Sequence, residues 1–337
     1  MSRPSPEKAD SILHTIGRTP VVKLNRLAPA GAADVFVKLE YFNPTGSYKD
    51  RMALAMIEGA EARGTLRPGM RVIEYTGGST GSSLAMVCAV KGYAFAPLSS
   101  DTFAREKIQT MEAFGAGVEI MPSDGGKVTP ALFDRFRARI ATLKEDPATF
   151  WTDQFHNADA LNGYREIGVE LLEQLESIDA FCGAVGTAGM LVGVGRALKA
   201  GGSEARIVAL EPSGSPVLTT GRSGAHRVEG TAPGFVPPHL TPADYDEARA
   251  IVRGGERDGA ASRTRRGHLG GRLDGPERRR GAPAGTRAGP RTLRGHHRGG
   301  HRAQVPGGRP VQRARLTSDS RARQRFVRRP TGLNIFP

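Results

Sequence analysis

The strongest constraint on how this chain folds is the order of its apolar runs. Short β-branched runs bounded by turn residues alternate with longer segments of helical period. "ADVFVKLE" (33–40), "RVIEYT" (71–76), "GVEIMP" (117–122) and "RIVALEP" (206–212) have strand character. Between them, "SYKDRMALAMIEGAEARG" (47–64) sets Met52, Leu54, Ala55 and Ile57 on an apolar side, with Gly64 as a stop. The stretches 80–93, 103–115, 131–146 and 163–175 have the same helical pattern. Strand, glycine-rich turn and helix in succession predict an α/β chain, with a parallel sheet covered by helices.

At about residue 254 this texture stops. From "RGGERDGAASRTRRG" onward, Arg, Gly, Pro and Ala dominate and no apolar period survives. Such a composition cannot bury enough apolar surface to offset its ordering entropy, so disorder or poor packing is expected over 254–337. The charge divides at the same place. The tail holds 21 Arg, no Lys and five acidic residues, a surplus of +16, whereas the first 253 residues carry 27 basic and 29 acidic side chains. The formal charge of +14 would otherwise point to a polyanion partner, but it belongs to the tail. The body reads as an ordinary enzyme.

Cys88 and Cys182 are the only cysteines, each in an apolar run, so both are expected to be buried packing residues rather than a disulfide or metal site. The N-terminal stretch has no apolar signal-peptide core, and no later segment has eighteen unbroken apolar residues, so a cytoplasmic, non-membrane chain is expected.

Three loops carry chemistry. In "NPTGSYKDR" (43–51), Lys49 falls in the first turn of a helix beside Arg51. The positive helix end and the guanidinium both disfavour an ammonium there, which would free the amine as nucleophile and base. Taken alone, a Lys in this setting is more often a solvent-facing helix residue. In "EYTGGSTGSS" (74–83), a strand runs into glycines and hydroxyls and then a helix, an arrangement suited to a carboxylate or phosphate, or simply a plain turn. "GAVGTAGMLVGVGRAL" (183–198) again follows a strand and opens a helix. It is neither a Walker A loop nor a dinucleotide fingerprint; physically it is a cradle of N–H groups and the Thr187 hydroxyl for one phosphate.

In order and spacing, the three loops resemble those of the fold-type II pyridoxal-phosphate enzymes, specifically the cysteine synthase (O-acetylserine sulfhydrylase) and cystathionine β-synthase family. The similarity runs from "IGRTPVVKLNRL" (16–27) through "DQFHNADA" (153–160) and "LEPSGSPVL" (210–218) to "EGTAPGFVPPHL" (229–240), roughly the first 250 residues. It implies a three-layer αβα fold like that of the tryptophan synthase β chain, with two subdomains built on parallel-type sheets. The catalytic region would span 12–253, the smaller subdomain about 47–150 and the larger 12–46 with 151–253, the latter incomplete.

The resemblance also implies roles. Lys49 would be the Schiff-base lysine. Thr76, Gly77, Gly78, Ser79 and Thr80 would bind the substrate carboxylate with Gln154, and Ser79 would also meet the cofactor. Gly186, Thr187, Ala188, Gly189 and Met190 would bind the phosphate of pyridoxal 5'-phosphate. The implied reaction is β-replacement, in which sulfide displaces acetate from O-acetylserine to give cysteine, in a cytoplasmic homodimer. Two departures bear on this. The family usually has Asn where Ser79 stands, and Thr where Met190 stands, so one cofactor contact is shortened and one hydroxyl donor is lost. Ser79 keeps other chemistries open: cystathionine β-synthase, another β-replacement, or a serine/threonine deaminase-like elimination.

Family members continue with a helix, a hydroxyl-rich loop facing the pyridine nitrogen, and a "DxGxKYL"-like ending. None of these is visible in the tail. Read one base later, however, the codons of "HHRGGHRAQVPGGRP" (296–310) can spell "TIAVDTGLKYLAGDL", and those of "LDGPERRRGAPAG" (273–285) can spell "STGLNVVAALRLA". These are the expected ending and cofactor loop, in the right order. The tail therefore reads as out-of-frame translation of a GC-rich gene, broken between about 247 and 260, and apolar surface on strands such as 206–212 should stay partly uncovered. The competing reading of the tail is a genuine basic nucleic-acid-binding extension whose Arg/Gly stretches bind phosphates; for the chain as a whole, the alternative to an active enzyme is an inactive frameshifted product or a basic nucleic-acid-binding protein.

Overall fold

A computed structural model of the chain describes residues 8–26, 28 and 31–252. The expectations for the tail, disorder and out-of-frame origin, lie outside the described residues.

Short 3-10 turns at Ile12–Thr15 and Glu40–Phe42 bracket an antiparallel pair, β1 (Val21–Lys23) and β2 (Phe36–Lys38). The run at 33–40 is thus a strand only at its centre. After α1 (Lys49–Ala62) the chain alternates: β3 (Arg71–Tyr75), α2 (Ser79–Lys91), β4 (Ala94–Ser100), α3 (Arg105–Ala113), β5 (Glu119–Met121), α4 (Pro130–Leu143) and β6 (Thr149–Trp151). These four strands form one parallel sheet in the order β5-β4-β3-β6. Its two faces follow from the pleat of β3. Val72 packs into a core shared with Met52, Met56 and Ile57 of α1 and Leu84 of α2, while Ile73 and Tyr75 pack against Leu132, Phe136 and Ile140 of α4. Helices therefore cover both faces, in three layers.

A second sheet follows α5 (Ala158–Gln174): β7 (Ala180–Ala184), α6 (Gly189–Ala200), β8 (Arg206–Pro212), the short α7 (Val217–Thr220) and β9 (Glu247–Ile251). Its strands are parallel, in the order β7-β8-β9. Helix α5 begins five residues before the periodic run at 163, because Asn157 caps it by accepting from the Asp159 N–H. Helix α4 starts with Thr129 as cap and Pro130 in its first turn.

Two expectations are corrected. Cys88 is buried, but Cys182 is exposed; it sits on β7, at the edge of its sheet, where one side of the strand has no neighbour among the described residues. β8 is not left uncovered: Ile207, Val208 and Ala209 are all buried, with Gly195 of α6 close against Ile207. Ile251, at the end of β9, and Val252, just after it, are exposed apolar residues.

Candidate functional site

Lys49 is the first residue of α1 and is only 8% exposed. Its Nζ donates to the Tyr164 hydroxyl at 3.1 Å and lies 4.7 Å from the centre of the Tyr48 ring. The Tyr164 hydroxyl in turn donates to the Met52 sulfur at 3.1 Å. Among the described residues no carboxylate pairs with this amine. Burial alone brings its pKa down to about 8. That corrects the expected cause, because Arg51 does not act on Lys49. Its guanidinium turns the other way, to Glu40 at 2.8 Å and Glu170 at 2.6 Å, and Lys38 shares Glu170 at 2.5 Å. This buried ion network anchors the start of α1 to the N-terminal segment and to α5. Lys49 emerges on the other side with its amine unpaired.

Thr76–Thr80 joins β3 to α2. The Thr76 hydroxyl accepts from the N–H groups of Gly78 and Gly81 at 3.1 and 3.2 Å, which folds the loop back on itself. The N–H groups of Gly77, Ser79 and Thr80 and the Ser79 hydroxyl have no acceptor among the described residues. Thr80 donates to Gln154 Oε1 at 2.8 Å, and Gln154 Nε2 donates to the Tyr75 carbonyl at 3.1 Å. The structure thus brings Gln154 to the loop, 74 residues away in sequence. His239 lies behind it, its Nε2 3.2 Å from the Gln154 carbonyl oxygen; burial lowers the His239 pKa and favours the neutral ring.

Gly186–Met190 joins β7 to α6. Ala188 caps the helix in the left-handed region at φ 65°, a conformation that costs an L-residue strain. The N–H groups of residues 186–191 and the buried Thr187 hydroxyl have no acceptor among the described residues, at the positive end of a 12-residue helix. A side chain at Gly186 would strike the carbonyl oxygen of Gly230, and one at Gly189 would come within 3.0 Å of the Tyr164 ring. The Met190 methyl lies against Gly183 of β7, so this residue offers the loop its N–H alone. Sequence reading missed Tyr164, which touches Lys49 and closes over Gly189. A Tyr on the apolar side of an amphipathic helix reads as core, and no local signal marks it.

Together the fold and site define an α/β enzyme with one buried, unpaired amine and two helix N-termini, both with free N–H donors, one fit for a phosphate and one for a carboxylate. The chemistry of this donor set fits pyridoxal 5'-phosphate, whose aldehyde needs a primary amine and whose phosphate needs donors rather than a second charge. The comparisons agree. A model of the family described as "Pyridoxal-phosphate dependent enzyme" matches residues 12–266. The chain belongs to that family and has its fold-type II architecture, and pyridoxal 5'-phosphate is its cofactor. It is similar to a cysteine synthase of Staphylococcus aureus, 43% identical over 240 residues, covering 70% of this chain and 76% of the relative. It is also similar to an O-ureido-L-serine synthase of Streptomyces lavendulae, 39% identical over 242 residues, covering 71% and 72%. Among solved structures, a cysteine synthase of Entamoeba histolytica superposes with a TM-score of 0.67 at 33% identity, over 75% of each chain.

Proposed function

We propose that the reaction this fold and site serve, in the chain with its frame restored, is β-replacement on O-acetylserine, with sulfide as nucleophile, giving cysteine and acetate. The observation that carries this is the Lys49 amine, buried, unpaired and held at 3.1 Å by Tyr164. The roles follow from chemistry. Gly186–Met190 holds the phosphate through N–H groups and the Thr187 hydroxyl. Thr76–Thr80 and Gln154 hold the carboxylate of the amino acid, and Ser79 at the start of α2 also meets the cofactor. Lys49 would carry the cofactor and, once displaced from it by the substrate amine, would take the proton from the substrate α-carbon, with a pKa near assay pH suited to that exchange. The cofactor, when bound, delocalises the electron pair left on that carbon. Acetate leaves from the β-carbon, and hydrosulfide forms the new bond there while the α-carbon regains its proton.

The larger and smaller subdomains of this reading are 12–46 with 151–253, and 47–150. The enzyme is proposed to work as a cytoplasmic homodimer. Among the described residues no helix is long and apolar enough to cross a membrane, and the exposed Ile12, Val90 and Phe114 are apolar surface of the kind a subunit contact covers.

A second reading rests on the O-ureido-L-serine synthase relative and on Ser79: the same β-replacement with a nucleophile other than sulfide. The test is to load the protein with cofactor and supply O-acetylserine, with and without sulfide. Sulfide-dependent cysteine formation supports the first reading. Acetate release without cysteine, rising on addition of another nucleophile, supports the second.

A further inference from the structure

Two residues before the carboxylate loop, a charge stands in the middle of a sheet. Glu74 lies on β3, between β4 and β6, and is fully buried. Among the described residues no Lys or Arg pairs with it. Burying a carboxylate without a cation is costly unless every lone pair is used, and here four donors converge. Oε1 accepts from the Tyr75 N–H at 2.9 Å and Trp151 Nε1 at 3.4 Å, and Oε2 accepts from the Thr152 hydroxyl at 2.6 Å and the Gln154 N–H at 3.0 Å. Three of these donors come from the last residue of β6 and the segment that leaves it. The carboxylate therefore ties the end of β3, where the carboxylate loop starts, to the backbone of Gln154.

The Gln154 side chain finishes the connection. Its Oε1 takes the Thr80 hydroxyl and one Nε2 hydrogen goes to the Tyr75 carbonyl, which leaves one amide hydrogen unspent. We propose that Glu74 is a positioning residue for substrate binding. Acting through Thr152 and the Gln154 backbone, it fixes the Gln154 amide so that its remaining N–H and the free N–H groups of residues 77, 79 and 80 converge on the carboxylate of the amino acid. The proposal rests on the reading of Thr76–Thr80 and Gln154 as the carboxylate site. An apolar residue at 74 would fill the same space at less electrostatic cost, but would leave the Gln154 N–H without its acceptor and the Thr152 hydroxyl with only the more distant Ile73 carbonyl, at 3.4 Å.

The experiment uses the full chain loaded with cofactor, both as written and with the frame restored after about residue 250. It is run at pH 8, above the value of about 7 to which burial raises the Glu74 carboxyl, so that the group is ionised. The probe is L-serine, the substrate without its activating ester, titrated through the change in cofactor absorbance. Glu74→Gln places an amide N–H against two donors on one side or the other, and should bind cofactor as the parent does. It should weaken L-serine by about tenfold, the effect of misaligning one hydrogen bond to a charged group, and raise KM for O-acetylserine more than it lowers kcat. Thr152→Val, which removes one of the four donors, should weaken L-serine by a smaller factor, and Thr152→Ser should restore it. The Thr152 pair decides the matter if Glu74→Gln does not fold. Parent-like L-serine affinity in Thr152→Val, or in a folded Glu74→Gln, overturns the positioning role while leaving the carboxylate site standing. A frame-restored parent whose cofactor absorbance does not respond to L-serine overturns the site reading itself, and this proposal with it.

Discussion

The Lys49 amine and the Tyr164 hydroxyl lie 3.1 Å apart in a buried setting, and the same tyrosine ring closes over Gly189 at the start of α6. One side chain thus touches the residue proposed to carry the cofactor and the loop proposed to hold its phosphate. Lys49→Ala should abolish the absorbance of the protein-bound cofactor and all β-replacement, because no other Lys sits at this position. The check is borohydride reduction followed by peptide mapping. A variant that still traps cofactor covalently would move the attachment to another lysine.

The amine is held down at about pKa 8 by burial, against an ordinary lysine value of 10.5. Only the neutral amine attacks an aldehyde, so cofactor association with stripped protein should accelerate as pH rises through about 8 and level off above it. The sign for stability follows. A base with a depressed folded-state pKa contributes stability fully above its unfolded value and loses it as pH falls through the folded one. The cofactor-free protein should therefore lose the Lys49 contribution between about pH 10.5 and 8. Stopped-flow absorbance and melting of the stripped protein against pH test the two halves. A flat association rate across pH 7 to 9 would contradict the assignment.

The phosphate loop is tight for a steric reason that the structure makes explicit. A Cβ at Gly189 would lie 3.0 Å from the Tyr164 ring, which cannot yield without moving the Lys49 contact. Gly189→Val should weaken cofactor binding by about tenfold or more. Unchanged affinity in a fluorescence titration would place the phosphate elsewhere.

Ala188, at φ 65°, carries the strain of a non-glycine residue in left-handed backbone. Ala188→Gly should relieve it and stabilise the protein by about 1 kcal/mol, a rise of about 2–4 °C in melting temperature for a chain of this size. A fall in melting temperature would show that the alanine methyl, which is buried in the main core, contributes more packing than the strain costs.

How much of this could be read beforehand depends on the range of the interactions. The alternation of strand and helix was legible because each element carries its own period, and β8 falls at 206–212, as its β-branched run indicates. The loops proposed to carry Lys49, Ser79 and Thr187 were legible as turns because glycines mark each of them where it opens a helix. Tyr164 and Glu74 were not. Each acts across more than seventy residues, on Lys49 and Gln154 respectively; Tyr164 looks locally like a core side chain, and Glu74 like the solvent-facing position of an alternating strand. The cause of the Lys49 shift was misread for the same reason: the carboxylates that occupy Arg51 come from Glu40 and Glu170, on other elements. Cys182 was misread because sheet order, not local hydropathy, decides which strand lies at an edge.

The last prediction concerns the Arg-rich segment. The match to the Staphylococcus aureus relative covers 240 residues and leaves about a quarter of that protein without a counterpart, and the family match ends at residue 266, close to where the composition changes. Read one base later, the codons of 273–285 and 296–310 can spell the missing cofactor loop and the "DxGxKYL"-like ending, in order. Ile251 and Val252, the last described residues, are exposed apolar side chains at the end of a regular strand, a place where continuing structure would bury them. The chain as written should accordingly be poorly soluble or unstable and close to inactive. A chain with the frame restored after about residue 250 should be compact, retain pyridoxal 5'-phosphate and make cysteine from O-acetylserine and sulfide. Resequencing codons 240 to 337 tests the origin of the tail directly. Expressing both chains and comparing melting, cofactor occupancy and cysteine formation tests its consequence. If the chain as written melts cooperatively with full cofactor and turns over as fast as the restored one, the frameshift reading fails and the basic segment is a genuine part of the enzyme.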